Sequence, residues 1–370
     1  MTTSASPQDP ETSAQGGGPV GGIQRTLKLH DPGELLAAIP ALLGFVPEDS
    51  LVIVCLGGET DNSVEMVVRH DLVSLIAEPD RMLALAAQLQ ALFEEADVGT
   101  VSFAVLDSDW AAGESRAWHR ELIADMGALL MAGGVQVRGA LLAREIACGA
   151  PWVSVLDPRA GDIPDPMESA VAAAHVYQGR MIRDSRAELE AAIAAGPRDA
   201  LAAMASHLRE ARAAAAVRRS LGGRLALRAE LESVLTAVAG VDSGELPDDP
   251  EYARLAVSIS CPEVRDALLS LVCCDQASAA ERLWTLMGRA LPNPERADAA
   301  ALCAVSAYAR GDGPFAGICV DAALDANPEH RLGLLLRQAL DQGMHPDRIR
   351  TLAEVGQECA ASLGVFLPVP

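Results

Sequence analysis

The sequence predicts an α/β domain followed by an all-α domain. In residues 25–166, short β-branched and apolar runs alternate with amphipathic helical patterns. This alternation is typical of a mixed, mostly parallel sheet with flanking helices. From residue 167 to residue 370 the strand pattern stops and one helical pattern follows another. Residues 1–24 are rich in Ser, Thr, Gly and Pro, so we expect a disordered tail there.

The first element with a clear pattern is the segment 34–56. Its first ten residues place leucine and isoleucine at helical spacing, and Asp31 is a candidate N-cap. Gly44 should end this helix, and a turn then leads into an unbroken apolar run at residues 51–56. Such a run is typical of a strand buried on both faces. We therefore expect a helix, a tight turn and a central strand that together nucleate the core.

The following segments alternate between strand and helix patterns. A second apolar run, at residues 64–68, should pair with the first strand as a hairpin, which makes the sheet mixed. The later strand-to-strand connections are long enough for right-handed crossovers between parallel strands. The expected elements are helices at 81–96 and 114–132 and strands at 100–106, 135–143 and 152–156.

The helical part contains a repeat-like spacing. Pro294 and Pro328 are 34 residues apart, and each closes a predicted helix. Between them, small residues occur where a tetratricopeptide-type hairpin needs close helix packing, although the usual aromatic residues of that motif are missing. These small residues are Ala304, Gly311, Ala316 and Ala323. We therefore predict a tetratricopeptide-like domain at 167–370, clearest at 263–330, of a kind that binds proteins or acts as a rigid spacer.

Several sequence blocks resemble an uncharacterised actinobacterial protein family. The first is LLGFVPEDSLV at residues 42–52, which is followed by Arg69-His70-Asp71-Leu72. The similarity extends over about residues 26–350. Because the family is a domain of unknown function, the resemblance implies an architecture and a phylum but no activity. The further blocks are VRDALLSLV (264–272), LWTLMGRALPNP (283–294) and GDGPFAGICVDAALDANPEHRLGLLL (311–336).

Composition and charge argue against several classes of partner. The formal net charge of −22 repels nucleic acids and anionic membranes. No apolar stretch reaches the roughly 18–20 residues of a membrane helix, and the N-terminus lacks a basic-then-apolar secretion signal. We therefore expect a cytoplasmic protein that binds neither nucleic acid nor membrane.

Acidic residues follow several of the predicted strands. Asp107 and Asp109 come directly after a buried strand, and Asp71 and Asp157 follow two others. Ligands of open parallel sheets bind beyond the carboxyl ends of the strands, and carboxylates suit Mg²⁺ or Mn²⁺. Arg69 would share a strand face with Asp71, where it could pair with that carboxylate or bind an anion. The candidate ligand site is therefore Arg69, Asp71, Asp107 and Asp109, with the metal at Asp107 and Asp109. The alternative is that the aspartates are ordinary acidic residues of loops, and that Arg69 and Asp71 form an ion pair that only stabilises the strand end.

One basic cluster stands out against the acidic background. Residues 209–228 contain six arginines and one acid, Glu210. The cluster could dock an acidic partner or the acidic surface of another copy, and the alternative is a solvated helical face. The residues predicted for this contact are Arg209, Arg212, Arg218 and Arg219.

The function predicted from these observations is protein interaction. The sequence carries no zinc-protease histidine motif, no nucleophile elbow and no phosphate-binding loop, so catalytic residues are not assigned. The leading hypothesis is a non-enzymatic interaction or regulatory protein that binds a protein partner through its helical domain. The alternative is a metal-dependent enzyme or sensor that binds a phosphorylated or nucleotide-like ligand at the strand ends.

Overall fold

The computed structural model describes residues 31–57, 63–77, 79–96, 98–111, 117–177 and 182–367. In these residues a six-stranded mixed sheet with flanking helices is followed by a largely helical part. The predicted order of an α/β part and then a helical part is confirmed. The tail predicted at residues 1–24 lies outside the described residues.

In its described residues, the α/β part contains four helices and six strands. In chain order they are α1 (Pro32–Leu43), β1 (Ser50–Gly57), β2 (Ser63–Asp71), α2 (Leu72–Ala77), α3 (Pro79–Ala96), β3 (Val98–Leu106), α4 (Ala117–Ala132), β4 (Gln136–Ala143), β5 (Pro151–Ser154) and β6 (Ala160–Asp162).

The helical part follows a short 3-10 turn at Pro166–Glu168, and a second 3-10 segment spans Leu269–Cys273. Its helices are α5 (Ala170–Tyr177), α6 (Arg186–Ala191), α7 (Arg198–Gly222), α8 (Arg224–Asp242), α9 (Asp249–Ile259), α10 (Pro262–Leu268), α11 (Ala277–Ala290), α12 (Arg296–Ala309), α13 (Gly313–Ala326), α14 (Arg331–Asp341), α15 (Pro346–Arg350) and α16 (Leu352–Ser362).

The first helix and strand form as the sequence predicts. The carboxylate of Asp31 accepts a hydrogen bond from the backbone N–H of Gly33 at 2.6 Å, which caps α1. Gly44 ends the helix with a φ of 77°, a left-handed conformation that glycine adopts without strain. All eight residues of β1 are buried, which agrees with a strand covered on both faces.

The prediction that the sheet is mostly parallel is wrong. The strand order is β2-β1-β3-β4-β5-β6, and among the described strands only β3 and β4 pair in parallel. The strands β2, β3 and β4 run in the same direction, as the predicted crossovers require. However, β1 lies between β2 and β3 and is antiparallel to both. The link from β4 to β5 is too short for a helical crossover, so these two strands also pair antiparallel.

The two faces of the sheet enter two different buried clusters. Leu51 and Ile53 of β1 pack in a cluster with α3 and α4. Val52 and Val54, which point the other way, belong to a larger cluster that includes α1 and continues into the C-terminal helices as far as α16. This cluster crosses residue 166, where we placed the boundary between two domains, and that boundary stays a prediction.

The centre of the helical part is α12, whose residues from Ala299 to Ala309 are all buried. It packs between α11 and α13. The fully buried Ala304, Ala316 and Ala323 have side chains small enough for the close approach of α12 and α13. Among the described residues, no helix combines the length and the apolar character that a membrane span requires.

Candidate functional site

The sheet brings two of the predicted carboxylates to the same end of its strands. Ser50, at the start of β1, pairs with Asp71 on one side and with Leu106 on the other. Asp71 and Asp107 therefore both lie at this end of the sheet, where β1 begins and β2 and β3 finish. Because neighbouring strands are about 4.8 Å apart, the Cα atoms of Asp71 and Leu106 are roughly 10 Å apart.

Asp157 does not join them. The strand β5 runs antiparallel to β4, so the chain leaves β5 at the opposite end of the strands. There the carboxylate of Asp157 accepts hydrogen bonds from the guanidinium of Arg159 at 2.7 and 2.9 Å. This exposed pair is local to one turn and does not contribute to a strand-end site.

Asp107 points towards α4 and away from the face that Arg69 occupies. Side chains alternate along β3, so Leu106 belongs to the larger cluster and Asp107 to the opposite face. Its Oδ2 lies 3.0 Å from Nε2 of His119 on α4, and both side chains are buried. Its Oδ1 accepts a hydrogen bond from the backbone N–H of Asp109 at 3.0 Å. Asp107 thus connects the end of β3 to the first turn of α4.

Arg69 and Asp71 form the pair that strand alternation predicts. Nη2 of Arg69 lies 3.9 Å from Oδ2 of Asp71, and its Nε donates to the hydroxyl of Ser50 at 2.8 Å. Burial, and after it the nearby Arg186, lower the pKa of Arg69. Because β1 pairs Arg69 with Val52, Arg69 faces the larger cluster.

Asp71 also caps a helix. Its Oδ1 accepts hydrogen bonds from the backbone N–H and from the hydroxyl of Ser74, both at 2.9 Å. The backbone hydrogen bond is the largest of the causes that lower the pKa of Asp71. The carboxylate therefore has a structural role at the start of α2.

The turn before β1 contains a residue that the sequence did not single out. Asp49 has a φ of 41°, which is uncommon for a residue other than glycine. Its carboxylate accepts from the backbone N–H of Ser108 at 2.9 Å, and its carbonyl accepts from that of Leu72 at 2.8 Å. Asp49 thus joins the segments that follow β2 and β3. The sequence did contain one signal for this conformation: an aspartate, which tolerates a positive φ, in the turn Pro-Glu-Asp-Ser.

The strand-end residues are thus divided between two faces of the sheet. Asp107 contacts His119 on one face, Arg69 lies on the other, and Asp109 is exposed. In the part of the chain that the structure describes, no three acidic, histidine or cysteine side chains group as a metal site requires. A Mg²⁺ or Mn²⁺ ion at Asp107 and Asp109 stays a prediction.

Several of the predicted interaction arginines form ion pairs within the chain. Arg219 binds Glu230, and Arg212 binds Glu295. Arg218 is half-exposed, and its Nη2 lies 3.9 Å from the carboxylate of Glu230, to which Arg219 already donates. Arg209 is exposed, and no ion pair joins it to a carboxylate within the described ranges.

The turn between α7 and α8 exposes large apolar side chains beside these arginines. Among the described residues, the three most exposed large apolar side chains are Phe366 (87%), Leu221 (85%) and Leu225 (74%). Leu221 and Leu225 flank the turn, and Val217, one helical turn before Leu221, is also exposed.

The C-terminal segment that precedes Phe366 approaches α8 through the side chain of Arg228. A Cβ placed on Gly364 would lie 3.4 Å from Nη1 of Arg228, so Gly364 lies beside the end of that side chain. Arg224 at the start of α8 is exposed, and the described residues supply it with no carboxylate partner. We call the exposed region around the turn between α7 and α8 the α7–α8 surface; it consists of Val217, Arg218, Leu221, Arg224 and Leu225.

Comparison with known proteins identifies the family. The model of the family described as "Domain of unknown function (DUF4192)" matches residues 32–347. The chain belongs to this DUF4192 family. The expectation of an uncharacterised family is confirmed, and the actinobacterial origin stays a prediction. No curated protein and no solved structure matches the chain significantly. The DUF4192 match covers the whole sheet and all of the α7–α8 surface.

Proposed function

We propose that this DUF4192 protein is a non-enzymatic interaction or regulatory protein of the cytoplasm. The observation that carries the proposal is the α7–α8 surface. Leaving apolar area in water forgoes roughly 25 cal/mol for each Å² that could be buried, and exposed apolar patches rimmed by polar groups typically mark interaction sites. Here the two most exposed leucines of the described chain lie beside arginines in a protein whose formal net charge is −22.

The packing beneath this surface suits a binding role. Helix α8 contacts α9, α10 and α11, and α11 packs on the buried helix α12. The surface is therefore connected through α11 to the buried helix α12. We include the tetratricopeptide-like arrangement of α11 to α14 in the proposal, because close alanine packing between α12 and α13 is what such hairpins need.

A metal-dependent enzyme or sensor is the second candidate. It needs Arg69, Asp71, Asp107 and Asp109 in one cleft, so that a phosphorylated or nucleotide-like ligand and its metal can contact them together. The side chains of Arg69 and Asp107 instead project to opposite faces of the sheet, which gives this function less support. Thermal unfolding with and without Mn²⁺ tests it: stabilisation that the Asp107→Ala, Asp109→Ala variant loses would favour the enzyme or sensor.

Site-specific photo-crosslinking of the full chain in cells tests the interaction function. A photoreactive residue replaces Leu221 in one variant and Leu246 in the control; Leu246 is 56% exposed and lies in the loop that follows α8. We expect a discrete protein adduct from position 221 and none of that mass from position 246. The crosslinked protein is then identified and purified.

The purified partner provides the decisive measurement. By isothermal titration calorimetry it should bind the unmodified chain, and the Leu221→Ser, Leu225→Ser variant should bind at least tenfold more weakly. The Leu334→Ser, Leu335→Ser variant, which removes two exposed leucines from α14, is the matched control. Identical adducts at both crosslinking positions, or equal affinity in all three proteins, would contradict the proposal.

A further inference from the structure

We infer that the α7–α8 surface binds an acidic amphipathic helix of its protein partner. This inference rests on the proposed function and adds the chemistry of the partner. It is carried by the shape of the apolar part of the surface and by the charges around it.

The apolar part is a ridge. Val217 and Leu221 are four residues apart on α7, so their side chains lie one above the other on the same helical face. Leu225, on the first turn of α8, follows directly after the Gly222–Gly223 turn. Rows of side chains four residues apart pack into the grooves between side chains of another helix. A partner helix with apolar residues at positions i, i+3 or i+4, and i+7 provides such a groove.

The charges around the ridge are positive and incompletely neutralised. Glu230 accepts three hydrogen-bond contacts from Arg219, so its negative charge is already neutralised. The positive charge of Arg218 is therefore in excess. Arg224 has no carboxylate partner within the described ranges. Carboxylates that flank the apolar stripe of a partner helix would pair with these guanidinium groups, a geometry in which arginine is particularly effective.

The same charges disfavour two other occupants. Nucleic acid binding depends mainly on a positive field that spans several phosphates, whereas this chain has a formal net charge of −22. The segment 209–228 also lacks the aromatic residues on which bases stack. An anionic membrane would be repelled by the same net charge. A short acidic helix meets only the local basic surface and avoids most of that repulsion.

Two designed peptides test the inference with the full chain. Both have leucine at i, i+3, i+4 and i+7; one carries glutamate on the flanking positions and the other lysine. By fluorescence anisotropy we expect the glutamate peptide to bind at least tenfold more tightly, with an affinity that falls as salt is added. The Leu221→Ser, Leu225→Ser variant should lose this binding, and Leu334→Ser, Leu335→Ser should retain it.

Charge reversal gives the sharpest result. The Arg218→Glu, Arg224→Glu variant should prefer the lysine peptide, because the complementarity is inverted. We expect unfolding curves to show that this variant is folded, because neither arginine forms the short ion pair that Arg219 makes with Glu230. Equal binding of both peptides, or an unchanged preference in this variant, would overturn the inference.

Other occupants appear as distinct outcomes. Self-association in sedimentation velocity that Leu221→Ser, Leu225→Ser abolishes would assign the surface to a second copy and overturn the inference. Binding to vesicles of phosphatidylglycerol and phosphatidylcholine, lost in the same variant, would assign it to a membrane and also overturn it. A crosslinked partner at position 221 without preference for the glutamate peptide would leave the proposed function standing and remove only the acidic helix.

Discussion

Arg219 on α7 and Glu230 on α8 form an ion pair that closes the turn between the two helices. Nε of Arg219 lies 3.1 Å from both carboxylate oxygens, and Nη2 lies 2.6 Å from one of them. Nη2 also donates to the carbonyl of Val257 at 3.0 Å, which connects the pair to α9. Glu230 is only 4% exposed. A carboxylate that is so buried is tolerated because its charge is paired and hydrogen-bonded.

We predict that Arg219→Met lowers the free energy of unfolding by about 3 kcal/mol. The methionine keeps the apolar contacts of the arginine stem but leaves the charge of Glu230 buried, with only the more distant Arg218 nearby. Urea unfolding followed by circular dichroism measures the change.

Arg228→Met is the matched control. Arg228 forms an exposed ion pair with Glu232 one turn away on α8, at 2.8 Å. Such pairs contribute about 0.3–0.5 kcal/mol, so the control should be nearly as stable as the unchanged chain. If both variants lose the same stability, the buried pair does not hold the turn together.

Two helical glycines should respond in opposite ways to alanine. A Cβ on Gly356 of α16 would lie 2.3 Å from the backbone nitrogen of Ser270, too close for any real contact. We predict that Gly356→Ala destabilises the protein by about 1–3 kcal/mol, because the helix must move away from the 3-10 segment that it packs on.

Gly317→Ala, on α13, should instead be neutral or stabilising by about 0.5–1 kcal/mol. Nothing in the described structure lies within 4 Å of the position that a Cβ would take there. Thermal unfolding of both variants shows whether each substitution raises or lowers the stability of the protein. An unchanged Gly356→Ala would contradict the close approach of α16 to Ser270, and a destabilised Gly317→Ala would contradict the open space at that position.

The Asp107–His119 contact should contribute to stability. His119→Ala removes a buried ring and leaves the buried carboxylate of Asp107 without its partner on α4, so we predict a loss of about 3 kcal/mol. Ser108→Ala, at an exposed neighbour whose backbone N–H still bonds to Asp49, should change stability by less than about 0.5 kcal/mol. Chemical denaturation of the two variants decides the matter; a His119→Ala protein as stable as Ser108→Ala would refute a structural role for the contact.

Asp71 should make stability depend on pH in the acidic range. The hydrogen bonds from Ser74 lower the pKa of Asp71 in the folded state, so the unfolded state takes up the proton first as pH falls. Its contribution is therefore complete above the unfolded value of about 3.9 and is lost as pH falls through the lower, folded pKa.

The measurement compares the unchanged chain with Asp71→Asn, which keeps a capping side chain without the charge. At about pH 7 the unchanged chain should be more stable by about 0.5 kcal/mol, the usual effect of a carboxylate at a helix N-terminus. At about pH 3 this difference should shrink. A difference that stays constant between the two pH values would show that Asp71 acts only as a neutral cap.

Strongly patterned elements could be predicted from the sequence, and the order of the strands could not. The runs at β1 and β3 and the long helices carry their own periodicity, which is a local property. Whether β1 pairs with β3 as well as with β2 is decided by where the α2–α3 crossover places β3, which is a non-local choice. The three residues of β6 are too few to show any period, so this strand left no signal.

In the candidate site, too, local features could be predicted from the sequence and non-local ones could not. The sequence correctly placed Asp71 and Asp107 at strand ends, but the face to which each points depends on the register. Ser50 aligns with Asp71 and with Leu106, so Asp107 lies one residue beyond the aligned row and points to the opposite face. A shift of one residue would have brought the two carboxylates to the same face, and only strand pairing determines that shift.

The larger buried cluster also has a consequence for synthesis on the ribosome. Val52 and Val54 lie early in the chain, whereas Phe315, which belongs to the same cluster, is made much later. At about 5–20 residues per second, roughly 10–40 seconds separate the completion of β4 from the appearance of α13. During that interval the apolar face that carries Val52 and Val54 is covered by α1 but not yet by the C-terminal helices. The yield of the protein should therefore depend on chaperones that shield this face until the last helices emerge.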